Sequence, residues 1–412
     1  MRNAVRTSYG AIALLLLNTL LLFALLNLAL GGFFYLRDRA KGRLPRPQPV
    51  GVLKFPKERL AQAYPHMREE EWRALITEIQ SLRPEFDLYT HWKERPFKGR
   101  YVNVTESGFR MNRRQGPWPP NHHAFNIFFF GGSTTFGLGV RDAETIPSVL
   151  QDLLSQQACA TPVYVYNFGR IAQDSSQERI LFARLLVEGF TPQVAIFFDG
   201  LNEFLIRDIR ARALRTATIS RGARVTLFSM RVGLFSFELE MPLSRAARAA
   251  KARVEKILAP HPPGNSEARQ QPDPEAQKVT LARTVLPRYL RNKALTEAMA
   301  TGVGTETLFV WQPSPAYGYD LRYHLFPLPS EEAENVRYGY NEFNTIRARL
   351  PDREQRRLLW LGDLQRNRKE LLYADEWHYT AAFSREIAEQ ITQALVSRNL
   401  VCPRAASITE RK

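Results

Sequence analysis

The chain has 412 residues, with 57 Lys or Arg against 41 Asp or Glu and a formal net charge of +16. That balance excludes an acidic, nucleic-acid-mimicking or calcium-buffering protein, and 44% apolar with 11% aromatic residues is enough to bury one large core or two modest ones. Two cysteines, Cys159 and Cys402, are too few for a disulfide scaffold and lack zinc or iron–sulfur spacing, so no metal or cofactor is expected.

Residues 11–36 carry no charge and read AIALLLLNTLLLFALLNLALGGFFYL. A bilayer core of about 30 Å needs roughly 20 apolar residues, and this run exceeds the h-region of a cleaved signal peptide. Residues 1–36 are therefore read as a signal anchor, with cleavage near Ala29-Leu30-Gly31 as the alternative. Arg2 and Arg6 precede the span, whereas Arg37, Arg39, Lys41, Arg43 and Arg46 follow it. By the positive-inside rule alone, that asymmetry puts the large domain in the cytoplasm. Residues 37–65 read as a basic, Pro-rich tether suited to anionic headgroups. An accessory segment at 66–123 follows, with Trp72, Leu75, Ile76 and Ile79 at helical spacing and then a strand-like RYVNVTESGFRMN.

From Ala124 the pattern becomes β-α-β-α-β. AFNIFFFGG is a continuous apolar run ending in glycines, as expected of a central parallel strand. A helix with Thr145 as N-cap and Pro147 in its first turn comes next, then the strand VYVYNFG, a helix over 175–188 and the strand QVAIFFDG. TLFVWQP and LLWLGD supply a fourth and a fifth strand. The alternation predicts an open, doubly wound α/β sheet over 124–402, with a C-terminal tail at 403–412. A stretch of about 100 residues, 204–305, separates the third and fourth strands, far beyond the usual connection, and reads as an insertion. Its first part, 204–258, holds 12 Lys or Arg against 4 Asp or Glu. A solvated basic face and a lid or membrane-facing surface both fit that charge.

Sites in such sheets form at the carboxyl ends of the strands. The first strand ends in Gly131-Gly132-Ser133-Thr134-Thr135, the second in Asn167-Phe168-Gly169, and the third in Asp199-Gly200-Leu201-Asn202-Glu203. Asp375-Glu376-Trp377-His378 immediately precedes an amphipathic helix carrying Phe383, Ile387, Ile391 and Leu395. In this order the four motifs resemble those of the SGNH hydrolases, the GDSL-type serine esterases. The marker residues match at Ser133, Gly169, Asn202, and Asp375 with His378. The resemblance covers 124–398, and the wording GGSTTFG, DGLNEF and WQPSP looks like a bacterial membrane-anchored branch. It implies a flavodoxin-like three-layer sandwich around a parallel sheet. Two positions depart from the pattern: Gly132 stands where GDS has Asp, and Glu203 where GxND has its final Asp.

The chemistry of these residue types agrees. A serine hydroxyl needs a base within hydrogen-bond reach, and a neutral imidazole at His378 suits that task. Asp375 can fix its tautomer and stabilise the imidazolium. The resemblance assigns the oxyanion to the N–H groups of Ser133 and Gly169 and to the Asn202 amide. Asp320 and His324 are read as loop residues.

In a flavodoxin-like fold the first and last helices pack on one face, which would bring Cys159 and Cys402 within disulfide reach. Such a bond belongs in an oxidising compartment and favours an extracytoplasmic domain, against the flanking arginines. The function expected is a membrane-anchored serine esterase acting on an acyl ester, foremost an O-acetyl group on a cell-envelope glycan. An O-acyltransferase using the same acyl-enzyme and a non-catalytic glycan-binding or assembly component are the alternatives. The partners expected are the membrane and the ester substrate, and no nucleic-acid-binding motif is present.

Overall fold

The computed structural model describes residues 2–40, 55–157, 159–205 and 281–401, and divides into two units. The tether before residue 55, the basic middle of the expected insertion and the tail with Cys402 lie outside the described residues.

In the first unit the described element is one helix, α1 (Arg2–Ala40). Within it Ala13–Phe33, 21 residues, is long and apolar enough to cross a membrane, and no other helix among the described residues is. Two of its polar side chains turn back on the backbone. Thr19 donates to the Leu15 carbonyl at 2.7 Å and Asn27 to that of Phe23 at 2.8 Å, which hides both from an apolar surround.

The second unit is built on five parallel strands: β5 (Phe125–Gly131), β6 (Val163–Gly169), β7 (Val194–Asp199), β8 (Glu306–Trp311) and β9 (Leu358–Trp360). Their spatial order is β6-β5-β7-β8-β9. In chain order this is 2-1-3-4-5, the flavodoxin-like arrangement, with its switch point between the adjacent strands β5 and β7. Every strand expected of this sheet is present, whereas the second strand expected in RYVNVTESGFRMN is reduced to isolated bridges at Arg110. Alternation along β5 sends Phe128 and Phe130 to one face and Ile127 and Phe129 to the other.

The first face is aromatic. Phe168, Phe130, Phe197 and Phe309 occupy register-paired positions on four adjacent strands. Their rings stack in a row, with centroids 5.5, 4.9 and 5.2 Å apart. Helices α6 (Ser175–Val187), α8 (Leu286–Gly302) and α9 (Ser330–Arg347) cover it through Phe182, Tyr289 and Phe343. The second face is mostly aliphatic. It is closed by α5 (Ile146–Leu154) and α10 (Ala381–Ser397), which pack against each other. Thr145 caps α5 by accepting from the Ser148 N–H. The result is the α/β three-layer sandwich expected, with the first and last helices of the main domain on one side.

Two boundaries differ from the sequence reading. The expected insertion is shorter at both ends, because α7 (Leu201–Leu205) continues the third strand's turn and α8 is the crossover helix into β8. Its inward face carries Asn292, Lys293 and Thr296 among apolar residues, which breaks the apolar period. Asn292 donates to Ser175 and Ser176 at 3.1 and 2.9 Å, and Lys293 pairs with Glu297 at 2.9 Å. The expected tether is also shorter. Its last part folds as α2 (Lys57–Ala63), whose Leu60 and Ala63 bury with Tyr64 against Trp72, Leu75 and Ile76 of α3 (Glu69–Ser81). A seven-residue helix among charges is too short to declare a period.

The accessory segment continues as the hairpin β1 (Pro84–Asp87) and β2 (His91–Glu94), then as β3 (Phe97–Lys98) and β4 (Asn103–Val104). Its Val102, Val104 and Leu82 join the same third core. Leu60 separates a tether from a folded element. Leu60→Ala is expected to cost about 2–5 kcal/mol, as for a core leucine, where a tether position would cost nothing; urea unfolding of the two proteins measures it.

Candidate active site

Ser133 begins the single-turn helix α4 (Ser133–Phe136), which follows Gly132 directly after β5 and closes at Gly137 with φ 88°. The Ser133 Oγ lies 2.8 Å from His378 Nε2. His378 Nδ1 lies 2.7 Å from Asp375 Oδ2, and Asp375 Oδ1 accepts the Trp377 and His378 backbone N–H groups at 2.8 Å each. The carboxylate on Nδ1 holds the ring proton there, so Nε2 is left to accept from the serine hydroxyl. Asp375 and His378 share a tight loop that Ala374 closes by donating to the His378 carbonyl at 2.7 Å. Three residues from opposite ends of the domain thus form one hydrogen-bonded chain.

Their electrostatics follow from burial opposed by pairing. Burial alone raises Asp375, but the His378 ring and two backbone N–H donors outweigh it and hold the carboxyl below its ordinary value. Burial alone lowers His378, and the attraction and hydrogen bond of Asp375 reverse this, leaving the imidazole above its ordinary value.

Of the backbone donors that the resemblance implies, Gly169 already has an acceptor. Its N–H donates to Asn167 Oδ1 at 3.0 Å and is therefore engaged within its own strand. The glycine is needed for packing, since a Cβ there would collide with the Phe136 amide of α4. Further along the same loop, Ala172 sits at φ 57°. Among the described residues, neither the Ser133 nor the Ala172 N–H meets a protein acceptor. Asn202 donates through Nδ2 to the Gln173 carbonyl at 2.7 Å, leaving its second amide hydrogen. That amide lies so close over Gly132 that any side chain there would collide with it, which accounts for glycine where GDS has Asp. Glu203, the other departure, accepts the Ser175 N–H at 2.7 Å and so ties the third strand's turn to α6.

The accessory hairpin holds this loop in place. Glu94 accepts the Ile171 N–H at 2.7 Å, Trp92 donates to the Ile171 carbonyl at 3.0 Å, and Gln173 donates to the Trp92 carbonyl at 3.1 Å. Two further residues escaped the sequence reading. Gln312, just past β8, accepts from Thr134 at 2.8 Å and from Tyr379 at 3.0 Å, joining the neighbours of Ser133 and His378. Its position after a strand end was a usable signal. Arg110 is fully buried and donates to the carbonyls of Phe136, Gly137 and Val140 at 2.9, 2.5 and 2.7 Å, and to Asp142 at 2.9 Å. In the sequence it looks like any arginine of an accessory strand. His324 stays outside the hydrogen-bonded chain, half-buried against Phe326 and Tyr373, with burial pushing it down to about 4. Cys159 packs on the cluster that contains Val401, and its expected partner Cys402 lies outside the described residues.

Solved structures with a similar course include an acetyl xylan esterase, AlAXEase, at 11% identity over 66% of this chain and 99% of that one, with a TM-score of 0.34. TesA is similar at 12% identity, 66% and 99% coverage and a TM-score of 0.35. A lipase/acylhydrolase from Enterococcus faecalis is similar at 12% identity, 68% and 98% coverage and a TM-score of 0.31. No family model and no curated protein sequence matches the chain. The functional reading therefore rests on the geometry of the site.

Removing the Arg110 guanidinium strands three buried carbonyls and Asp142. Arg110→Ala is expected to cost about 3–5 kcal/mol of stability, and Arg110→Lys to retain part of it because one ammonium lacks the planar fork. Thermal unfolding of the two variants tests the order.

Proposed function

We propose that the chain is a membrane-anchored serine hydrolase of carboxylic esters, of SGNH type, with Ser133, His378 and Asp375 as its catalytic residues. The observation that carries this reading is the continuous chain from Asp375 Oδ2 through both ring nitrogens of His378 to Ser133 Oγ. Ser133 Oγ attacks the ester carbonyl carbon while its proton passes to His378 Nε2. The oxyanion is held by the Ser133 N–H and the Asn202 amide, with Ala172 in place of the Gly169 expected from sequence. Collapse breaks the bond to the leaving alkoxide, which takes the proton from His378, and leaves an acyl-serine. Water then adds to the acyl carbon, gives its proton to His378, and Ser133 recovers that proton as the acid departs.

In the transferase alternative a sugar hydroxyl takes the place of that water, and product analysis with and without a glycan acceptor separates the two. The helix α1 supports membrane anchorage. An extracytoplasmic domain rests on the proposed Cys159–Cys402 bond. Mass spectrometry of the unreduced protein is expected to find one cross-linked peptide joining them, and two free thiols would remove that argument for the compartment.

Two kinetic outcomes follow. Ser133→Ala is expected to abolish both ester hydrolysis and labelling by a fluorophosphonate. Because the reactive imidazole is the neutral form, kcat/KM should rise with pH through the His378 titration, with a midpoint raised by Asp375 above that of an ordinary imidazole. Asp375→Asn removes the attraction that raises His378, so the midpoint should move down and the plateau rate should fall by about 10⁴-fold. A pH–rate profile of the two proteins measures both effects.

A further inference from the structure

Beside the triad lies a cavity of about 570 Å³ that neither the catalytic steps nor the fold requires. His378 and Asp375 form one end of it. Its walls come from two sources: Ile76, Ile79, Leu82 and Trp92 from the accessory segment, Leu138 and Ile171 from the loops after β5 and β6. Ile76 and Leu82 are buried, whereas Ile79, Trp92, Leu138 and Ile171 are half-buried.

Several polar groups of these walls are spent on backbone partners, and the Gln80 amide and the Glu376 carboxylate also border the space. The Trp92 indole N–H is committed to the Ile171 carbonyl and the Glu94 carboxylate to the Ile171 N–H. Arg83 donates to the Gln80 and Leu82 carbonyls at 2.7 and 3.0 Å. The cavity therefore presents mostly carbon next to the reacting imidazole. An acetyl methyl, about the size of a water molecule at roughly 30 Å³, would leave most of the space unfilled. The volume lies within the range of about 300–1,000 Å³ usual for small-molecule sites.

We infer that this cavity takes the aliphatic chain of the ester's acyl group, so that the accessory segment selects medium-length acyl chains over acetyl. The inference rests on the hydrolase reading above and refines its substrate. Burial of each added methylene is worth about 0.8 kcal/mol, which corresponds to a factor of about four in kcat/KM as long as room remains. The chain-length dependence then belongs to residues 76–92, while bond cleavage belongs to Ser133 and His378. Ile79 offers a way to change the first without touching the second set of residues.

The test uses the full chain in lipid nanodiscs with p-nitrophenyl acetate, butyrate, hexanoate and octanoate, comparing the parent with Ser133→Ala, Ile79→Trp and Ile79→Ala. The expected result is Ser133-dependent hydrolysis whose kcat/KM climbs about fourfold per methylene. Ile79→Trp should lower the octanoate-to-acetate ratio at least tenfold by filling the cavity, and Ile79→Ala should move the optimum to longer chains. The opposite directions keep the test decisive should one variant fold poorly. Turnover of monooctanoylglycerol in solution without fatty-acid release from phosphatidylcholine vesicles assigns a soluble ester as carrier, and release from vesicles assigns a bilayer lipid; either carries the inference. Ser133-dependent hydrolysis that is flat or falling with chain length in the parent, or a ratio unmoved in both Ile79 variants, overturns the inference and leaves the hydrolase reading standing. No Ser133-dependent hydrolysis of any ester overturns the hydrolase reading and the inference with it.

Discussion

The buried guanidinium of Arg110 is the constraint on which the site depends. A serine on a one-turn helix has almost no helical hydrogen bonding of its own to fix it, since the first N–H and last carbonyl groups of any helix lack internal partners. Here the carbonyls at the end of that turn, Phe136 and Gly137, are collected with Val140 by one planar fork. Asp142 neutralises the fork, so a charge that burial would otherwise penalise heavily becomes a fixed post. Arg110 belongs to the accessory segment and bridges to Asn167 of β6, and Asn167 in turn donates to the Thr135 carbonyl at 3.0 Å. Accessory segment, second strand and the Ser133 turn are thus one hydrogen-bonded body. That body holds Ser133 on its side of the 2.8 Å separation from His378.

A second device holds the other side of the sheet edge. Glu178 and Asp199 are buried, and burial together with neighbouring carboxylates raises both well above the ordinary carboxyl range. Each has an oxygen with no donor near it among the described residues, so one retained proton between the two satisfies the pair. Asp199 starts the turn that carries Asn202. Gly200, at φ 119° with the Trp311 ring and the Tyr340 hydroxyl against it, leaves no room for a side chain at the bend. Glu203 continues the same network toward Arg288 at 3.4 Å. The turn that presents the Asn202 amide is therefore anchored by buried acids from below, as the Ser133 turn is anchored by a buried base.

How much of this was legible in the sequence follows from which interactions are local. Each strand of the sheet announced itself because residues buried on both faces make a continuous apolar run, as in FNIFFFG and VAIFFD. Thr145 was legible as a cap, and Asp375 with His378 as a pair three residues apart, because their partners lie within one turn of chain. The α8 helix was missed because its inward face is partly polar and satisfied by residues far away in sequence, such as Asn292 on Ser175. Gly169 was assigned a donor's role when its lack of a side chain serves packing, and no local pattern distinguishes those two reasons for a glycine. Arg110 and Gln312 act only through tertiary hydrogen bonds, which spacing does not reveal.

The accessory segment ends up central for the same physical reason that it was hard to read. Short elements such as α2 and the β1–β2 hairpin cannot bury enough apolar surface alone, so they must lean on the domain beside them. Leaning brings Trp92, Glu94 and Thr90 onto the loop after β6, where Arg170 donates to Thr90 at 2.7 Å. That loop then has its backbone groups satisfied from outside and can hold Ala172 at a positive φ instead of collapsing onto the sheet. Pro84 and the Trp92 ring of the hairpin border the space next to His378, while its Phe86 and Leu88 stay exposed. One packing requirement therefore fixes the loop that carries the Ala172 N–H and builds a wall of the cavity beside His378.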